Sequence, residues 1–268
     1  MHPAAALYLE LLKQVLTNSI NGPAETADLP AEQYLRPELL DSGRREGVRV
    51  VRPTPFDPGA RAEGRDWPPT ADTMAGLRRL DNLQACVEAV LRDGVPGDLI
   101  ETGVWRGGSC ILMRAVLKAY GCADRTVWVA DSFAGLPPPD LDRYPQDKGL
   151  DLHQYPALAV SEEQVRANFQ KYGLLDGQVK FLKGWFKDTL PGAPIERLAV
   201  LRLDGDMYES TMDALVNLYP KVSSGGCVIV DDNWIPACRQ AVDDYRGAHA
   251  ISDEIVRIDT QGAYWIKR

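Results

Sequence analysis

Two stretches in the second half of the chain decide the fold class: Leu201-Arg202-Leu203-Asp204-Gly205-Asp206 and Val228-Ile229-Val230-Asp231-Asp232-Asn233. In each stretch, an apolar run leads directly into two carboxylates. Short apolar runs of this kind are typical of strands that are buried on both faces of a parallel sheet. A buried carboxylate without a partner is costly, and a divalent cation prefers oxygen ligands. The two aspartate pairs therefore indicate a cation site, and with it an enzyme rather than a plain binding module.

Strand and helix patterns alternate from residue 71 onward. We predict strands over 98–102, 126–130, 179–182, 198–203, 226–230, 253–258 and 263–266. We predict helices over 71–92, 108–120, 161–172 (capped by Ser161), from the end of the fourth strand to about 219, and over 236–246. Repeated β-then-α units imply a parallel sheet with helices on both faces. The prediction is an α/β, Rossmann-like fold with a mostly parallel seven-stranded sheet.

The first 70 residues have a different texture. Residues 5–20 repeat apolar side chains at helical spacing, with Leu7, Leu11 and Val15 on one face. Residues 21–70 are rich in Pro, Gly and Arg, so we expect no long regular elements there. We therefore divide the chain into an N-terminal helix with a lid or oligomerisation arm (1–70) and a catalytic domain (71–268). If the arm contacts a second subunit, the protein is a homo-oligomer.

Composition narrows the partners. A net charge of −8 argues against nucleic acid or an anionic membrane as the main partner, because both reward clustered Lys and Arg. No apolar run reaches the length of a bilayer span, and the N-terminus lacks the order of a signal peptide. Five scattered cysteines without a CxxC pair favour reduced thiols. These features predict a cytoplasmic protein that acts on a small molecule.

A glycine-rich turn follows the first strand of the predicted sheet, in Glu101-Thr102-Gly103-Val104-Trp105-Arg106-Gly107-Gly108-Ser109. Glycines let the backbone approach a ligand, and the next helix offers free amides. Asp131 and Ser132 end the second strand, where an acidic residue commonly binds ribose hydroxyls. The dinucleotide fingerprint GxGxxG is absent, which disfavours an oxidoreductase. The pattern fits S-adenosylmethionine, with Glu101 facing its ammonium group and Gly103, Ser109, Asp131 and Ser132 beside it; a tight turn without a ligand is the alternative.

Two aromatic residues, Trp185 and Phe186, follow the third strand. Their position suits stacking on an adenine ring, and ordinary core packing is an equal alternative.

Asp231 and Asp232 also have a second interpretation, since aspartates commonly cap the following helix.

The motifs carry a family likeness. The turn at 101–108, Val129-Ala130-Asp131-Ser132-Phe133, residues 184–191 (Gly-Trp-Phe-Lys-Asp-Thr-Leu-Pro), Leu203-Asp204-Gly205-Asp206 and Asp231-Asp232 resemble the macrocin O-methyltransferase family, in that order along the chain. That family methylates sugar hydroxyls on antibiotics. The resemblance covers about residues 71–266 and touches the N-terminal helix.

The resemblance implies a class I methyltransferase fold, S-adenosylmethionine and Mg²⁺. It implies that Asp204, Asp231 and Asp232 hold the metal, that Asp206 is the base, and that Thr73 and Met74 contact the methionine end of the cofactor. His153 is an alternative base. The implied acceptor is a glycosylated natural product such as a macrolide or aminocoumarin. A non-sugar vicinal diol or a catechol is the alternative, less favoured because the catechol enzymes use a lysine near the position of Asp206. A non-catalytic S-adenosylmethionine-binding protein is a further class, disfavoured by the intact aspartate set.

Overall fold

A seven-stranded sheet with helices on both faces forms the body of the protein in the computed structural model, which describes residues 2–268. The strands are β1 (Thr26–Asp28), β2 (Val51–Pro53), β3 (Asp98–Thr102), β4 (Val127–Asp131), β5 (Val179–Lys183), β6 (Leu198–Leu203), β7 (Val222–Val230), β8 (Val256–Arg257) and β9 (Ala263–Ile266). The helices are α1 (Pro3–Leu16), α2 (Ala31–Tyr34), α3 (Pro37–Glu46), α4 (Pro58–Ala62), α5 (Gly76–Arg92), α6 (Gly108–Ala119), α7 (Glu162–Lys171), α8 (Phe186–Thr189), α9 (Tyr208–Leu218) and α10 (Pro236–Ala248). The sheet order is β5-β4-β3-β6-β7-β9-β8. The predicted α/β fold is confirmed.

Strand direction explains where a site can form. The five strands β3 to β7 pair in parallel, while β9 joins β7 antiparallel and β8 closes the edge. Strand β6 lies between β3 and β7, so the carboxyl ends of these three strands are neighbours. In an open parallel sheet, ligands bind beyond those ends.

The core consists of two layers, one on each face of the sheet. In β4, Val127 and Val129 pack into the layer that contains α1, α5, α6 and α7, while Trp128 and Ala130 pack into the layer that contains α9 and α10. This alternation is the two-residue period of a strand that is buried on both sides. It holds the strand ends, and the loops that follow them, in fixed positions.

Helix α1 is part of the first layer. Its Leu9, Leu12 and Leu16 are at most 5% exposed and join the core, whereas Leu7 and Leu11 are 73% and 55% exposed. A separate N-terminal unit over 1–70 stays a prediction.

The expectation that residues 21–70 hold no long regular element was wrong. They contain the ten-residue helix α3 and a two-stranded antiparallel sheet of β1 and β2, which are three residues long each. Helix α3 starts at Pro37, where proline is favourable because the first helical N–H needs no partner, and it ends at Gly47 in the left-handed conformation. Proline and glycine here mark helix ends rather than the absence of a helix.

Several predicted boundaries shift. The helix predicted over 71–92 begins at Gly76, and the strand predicted over 253–258 is reduced to Val256–Arg257. Helix α7 is capped as predicted, because the hydroxyl of Ser161 accepts a hydrogen bond from the Gln164 amide at 3.2 Å.

Within residues 2–268, every helix is too short or too polar to cross a bilayer.

Candidate active site

A cavity of about 670 Å³ opens at the carboxyl ends of the parallel strands. All twelve residues predicted for the site line it: Thr73, Met74, Glu101, Gly103, Ser109, Asp131, Ser132, Trp185, Asp204, Asp206, Asp231 and Asp232. The fold thus brings the residues predicted to bind the cofactor and the four aspartates into one cavity. The alternative base His153 is exposed and does not line the cavity.

The glycine-rich turn after β3 touches the aspartate loop after β6. Gly103 has a φ of 87°, and a Cβ at this position would overlap the carbonyl oxygen of Asp204. Only glycine satisfies both conditions. The backbone contact fixes the distance between the turn and the aspartates.

Asp131 holds the turn to the end of β4. Its carboxylate accepts hydrogen bonds from the Val104 and Phe133 amides, each at 2.7 Å. Burial raises the pKa of Asp131, and these amides oppose the rise. Each carboxylate oxygen has a second lone pair, so Asp131 still has acceptor capacity toward the cavity.

The left-handed backbone conformation occurs outside glycine at five residues in the described range, and three of them are at this site: Trp105, Phe133 and Asp206, with φ of 47°, 55° and 57°. Such conformations are unfavourable for residues with a Cβ, and they concentrate at functional sites. The Trp105 indole also donates a hydrogen bond to the Ala157 carbonyl at 2.8 Å. The turn is thereby tied to the connection between β4 and α7.

Asp204, Asp231 and Asp232 meet the geometric condition for one cation. Each offers a carboxylate oxygen, and the three oxygens lie within 4.8 Å of one another. Burial, followed by the charges of Asp206, Asp204 and Asp231, raises the pKa of Asp232 well above its usual value. Burial and the charges of Asp204 and Asp231 raise the pKa of Asp206 to about 7. The donor set and the excess of negative charge fit a hard divalent cation.

Two buried arginines, which the sequence analysis did not single out, share this site. Arg202 contacts Glu101, Asp204 and Asp231, and Arg79 contacts Asp231 from the other side. The interpretation that a bound cation best explains these aspartates was therefore incomplete, because guanidinium groups already pair with Asp204 and Asp231. A charged residue inside the apolar run of β6 was the available signal for Arg202. For Arg79, on an amphipathic helix, no signal was available.

The arginines leave the cluster negative. Four carboxylates contact the two guanidinium groups: Glu101, Asp204, Asp231 and Asp259. Within residues 2–268, Asp206 and Asp232 have no basic partner within ion-pair distance. The cluster thus carries four excess negative charges when every group is ionised. This charge favours binding of a cation and of a positively charged cofactor.

Part of the cavity wall is mainly apolar. The connection between β4 and α7 contributes Leu136, Pro137, Pro138, Leu150, Leu152 and Leu158. Trp67 and Trp234 also line the cavity, and both are more than half exposed. The wall suits a large, partly apolar ligand beside the polar cluster.

Comparison with known proteins identifies the family. The macrocin-O-methyltransferase (TylF) family matches residues 5–267. The chain is 57% identical to an 8-demethyl-8-(2,3-dimethoxy-alpha-L-rhamnosyl)-tetracenomycin-C 4'-O-methyltransferase from Streptomyces olivaceus, over 98% of this chain and 93% of the relative. It is 52% identical to the mycinamicin III 3''-O-methyltransferase from Micromonospora griseorubida, over 97% and 95%.

Solved structures agree. The O-methyltransferase NovP superposes with a TM-score of 0.85 at 50% identity, covering 98% of this chain and 99% of that one. The calicheamicin methyltransferase CalS11 shares the fold, with a TM-score of 0.55 at 19% identity over 99% and 93% of the two chains. The resemblance predicted from the motifs is confirmed: the chain belongs to the macrocin-O-methyltransferase family and is an O-methyltransferase.

Proposed function

We propose that the enzyme transfers a methyl group from S-adenosylmethionine to a sugar hydroxyl of a glycosylated natural product, with Mg²⁺ bound at the aspartate cluster. The observation that carries this proposal is the shared cavity, in which the Gly103 turn and the Asp204 loop are in backbone contact. The two relatives described above are O-methyltransferases of a rhamnosyl tetracenomycin and of a mycinamicin. The apolar residues that line the same cavity support an acceptor with a bulky aglycone.

The cofactor-binding residues would act as follows. Glu101 would bind the amino group of S-adenosylmethionine, Asp131 and Ser132 would lie beside its ribose, and Trp185 would face its adenine. Gly103 and Ser109 would also lie beside the cofactor. Thr73 and Met74 would lie near its methionine end. The cofactor supplies an already activated methyl group, so the protein has to align the acceptor oxygen and remove a proton.

Asp204, Asp231 and Asp232 would hold Mg²⁺, which lowers the pKa of a hydroxyl that it binds. Asp206 would accept the proton of the acceptor hydroxyl. It lines the cavity, where burial and the charges of Asp204 and Asp231 raise its pKa and so strengthen it as a base.

The experiment uses labelled S-adenosylmethionine with a panel of glycosides, the matching aglycones and simple catechols, in Mg²⁺ or in excess EDTA. Methylation of glycosides only, and only with the metal, is the expected result. Methylation of catechols or aglycones would refute the sugar acceptor, and full turnover in EDTA would refute the metal.

The variants leave Asp231 intact, because its carboxylate accepts from two guanidinium groups, whereas Asp204 accepts from one. We expect Asp204→Asn and Asp232→Asn to weaken Mg²⁺ binding by at least ~100-fold, since replacing even supporting residues of metal ligands costs about 10–100-fold. S-adenosylhomocysteine binding should persist. Asp206→Asn should lower kcat and leave both affinities near those of the wild type. The exposed Asp243→Asn is the matched control.

The cytoplasm remains the proposed location. All five cysteines are free, and four of them are buried.

The exposed Leu7 and Leu11 on α1 support contact with a second subunit. Light scattering on the wild type and on a Leu7→Ser/Leu11→Ser variant tests that contact, and a wild-type monomer would refute it.

A further inference from the structure

Arg202 lies at the centre of the sheet and contacts carboxylates from three adjacent strand ends. It is 1% exposed, and in the sheet it is paired directly with Glu101 of β3. Its Nη1 donates to Glu101 and, at 2.5 Å, to Asp204, while its Nη2 donates to Asp231. One guanidinium therefore joins the predicted cofactor residue to two predicted metal ligands.

Glu101 has few other partners. Its second carboxylate oxygen accepts from the Cys110 thiol at 2.9 Å, and Glu101 is 1% exposed while lining the cavity. A thiol is a weak donor, so the orientation of this carboxylate depends mainly on Arg202.

We propose that Arg202 couples the two subsites, so that metal bound at the aspartates strengthens cofactor binding at Glu101, and the reverse. This inference rests on the proposed function for the identity of the two ligands. A cation at the cluster competes with Arg202 for the oxygens of Asp204 and Asp231. Nη1, now shared between Glu101 and Asp204, is then left to Glu101 alone. The better-held Glu101 carboxylate binds the cofactor amino group more tightly, and thermodynamic linkage makes the effect reciprocal.

Arg79 provides a matched comparison. It contacts Asp231 as Arg202 does, but its other partners are Asp259, Gln261 and carbonyls of the N-terminal arm and of Met74. Glu101 is not among its partners in the described chain. Replacing Arg79 should therefore change metal affinity without removing the coupling.

The test measures S-adenosylhomocysteine binding by calorimetry, with and without saturating Mg²⁺. This probe lacks the sulfonium charge, so direct repulsion by the metal is reduced. In the wild type we expect binding at least about 5-fold tighter with Mg²⁺, the lower end of typical coupling between sites. The factor should fall to within twofold of one in Arg202→Lys, which keeps the charge but loses the planar fork. It should fall equally in Glu101→Gln, which keeps Arg202, and should persist in Arg79→Lys.

The outcomes separate the proposals. Equal affinities in the wild type with and without Mg²⁺, or an unchanged factor in Arg202→Lys and Glu101→Gln, would overturn the coupling and leave methyl transfer intact. A loss in Arg79→Lys as large as in Arg202→Lys would also overturn it, because the link would run through Asp231 alone. If Arg202→Lys does not fold, Glu101→Gln decides. If Mg²⁺ itself does not bind, the metal part of the proposed function fails together with the coupling.

Discussion

Asp147 is a fully buried carboxylate, at 0% exposure, in the connection between β4 and α7. It accepts hydrogen bonds from the first amides of α9, those of Tyr208 at 2.6 Å and Glu209 at 3.1 Å. Helix α9 begins two residues after Asp206, the proposed base. Asp147 therefore fastens the connection between β4 and α7 to helix α9, which follows the Asp204–Asp206 loop.

The effect of Asp147→Ala follows from these two bonds. Hydrogen bonds to a charged group contribute about 1.5–3 kcal/mol each, which sets an upper range of about 3–6 kcal/mol. Burial opposes this contribution, since it raises the pKa of Asp147 even against both amides. A water that enters the space left by the carboxylate would satisfy one amide. We expect a net loss of about 2–3 kcal/mol, somewhat above the usual ~1 kcal/mol for a lost cap.

Urea unfolding followed by fluorescence measures this loss. The midpoint should fall without a change in slope, and Tm should drop by roughly 5–10 °C for a chain of this size. The exposed Asp142→Ala, in the same connection, should stay within about 0.5 kcal/mol of the wild type. If Asp147→Ala matches Asp142→Ala, Asp147 does not anchor the connection.

Two further predictions concern a glycine and an acidic side chain of the cavity. Gly103→Ala should lower the free energy of unfolding by about 3 kcal/mol or more and disturb the Asp204 loop. Gly94 has a φ of 64° and open space around it, so Gly94→Ala should cost only the ~1–2 kcal/mol of a left-handed alanine. Similar losses in both variants would refute the contact with Asp204. Burial, with a smaller contribution from Glu209, raises the pKa of Asp213 from 3.8 to about 6, so this carboxyl destabilises the fold increasingly between those pH values and fully above them. Asp213→Asn should therefore be more stable than the wild type at pH 7–8 by about 1 kcal/mol, after discounting the ~3 kcal/mol of the full shift for partial exposure. The gain should vanish below about pH 4 in pH-dependent urea unfolding; a gain that is the same at all pH values, or the same in the exposed Asp243→Asn, would refute it.

The sequence determined the fold because its signals are local. Apolar runs such as Leu198–Leu203, with helical patterns between them, specify a parallel sheet through side-chain periodicity alone. The carboxyl ends of neighbouring parallel strands must meet at one edge, so Asp204 and Asp231 were expected to lie together. The motifs around Gly103 and Asp131 likewise gave the family, which the relatives confirm.

Tertiary structure decided how the buried charges are balanced. Arg79 lies 152 residues from Asp231, and Glu101 and Arg202 are 101 residues apart, so these pairs form only when β3, β6, β7 and α5 pack together. Asp147 meets α9 only through the path of a connection without helical or strand periodicity. The sequence thus determined which carboxylates gather at the sheet edge, through local periodicity. Only the packed structure determined which cations and amides balance them, because electrostatic partners are selected by distance in space and carry no local pattern along the chain.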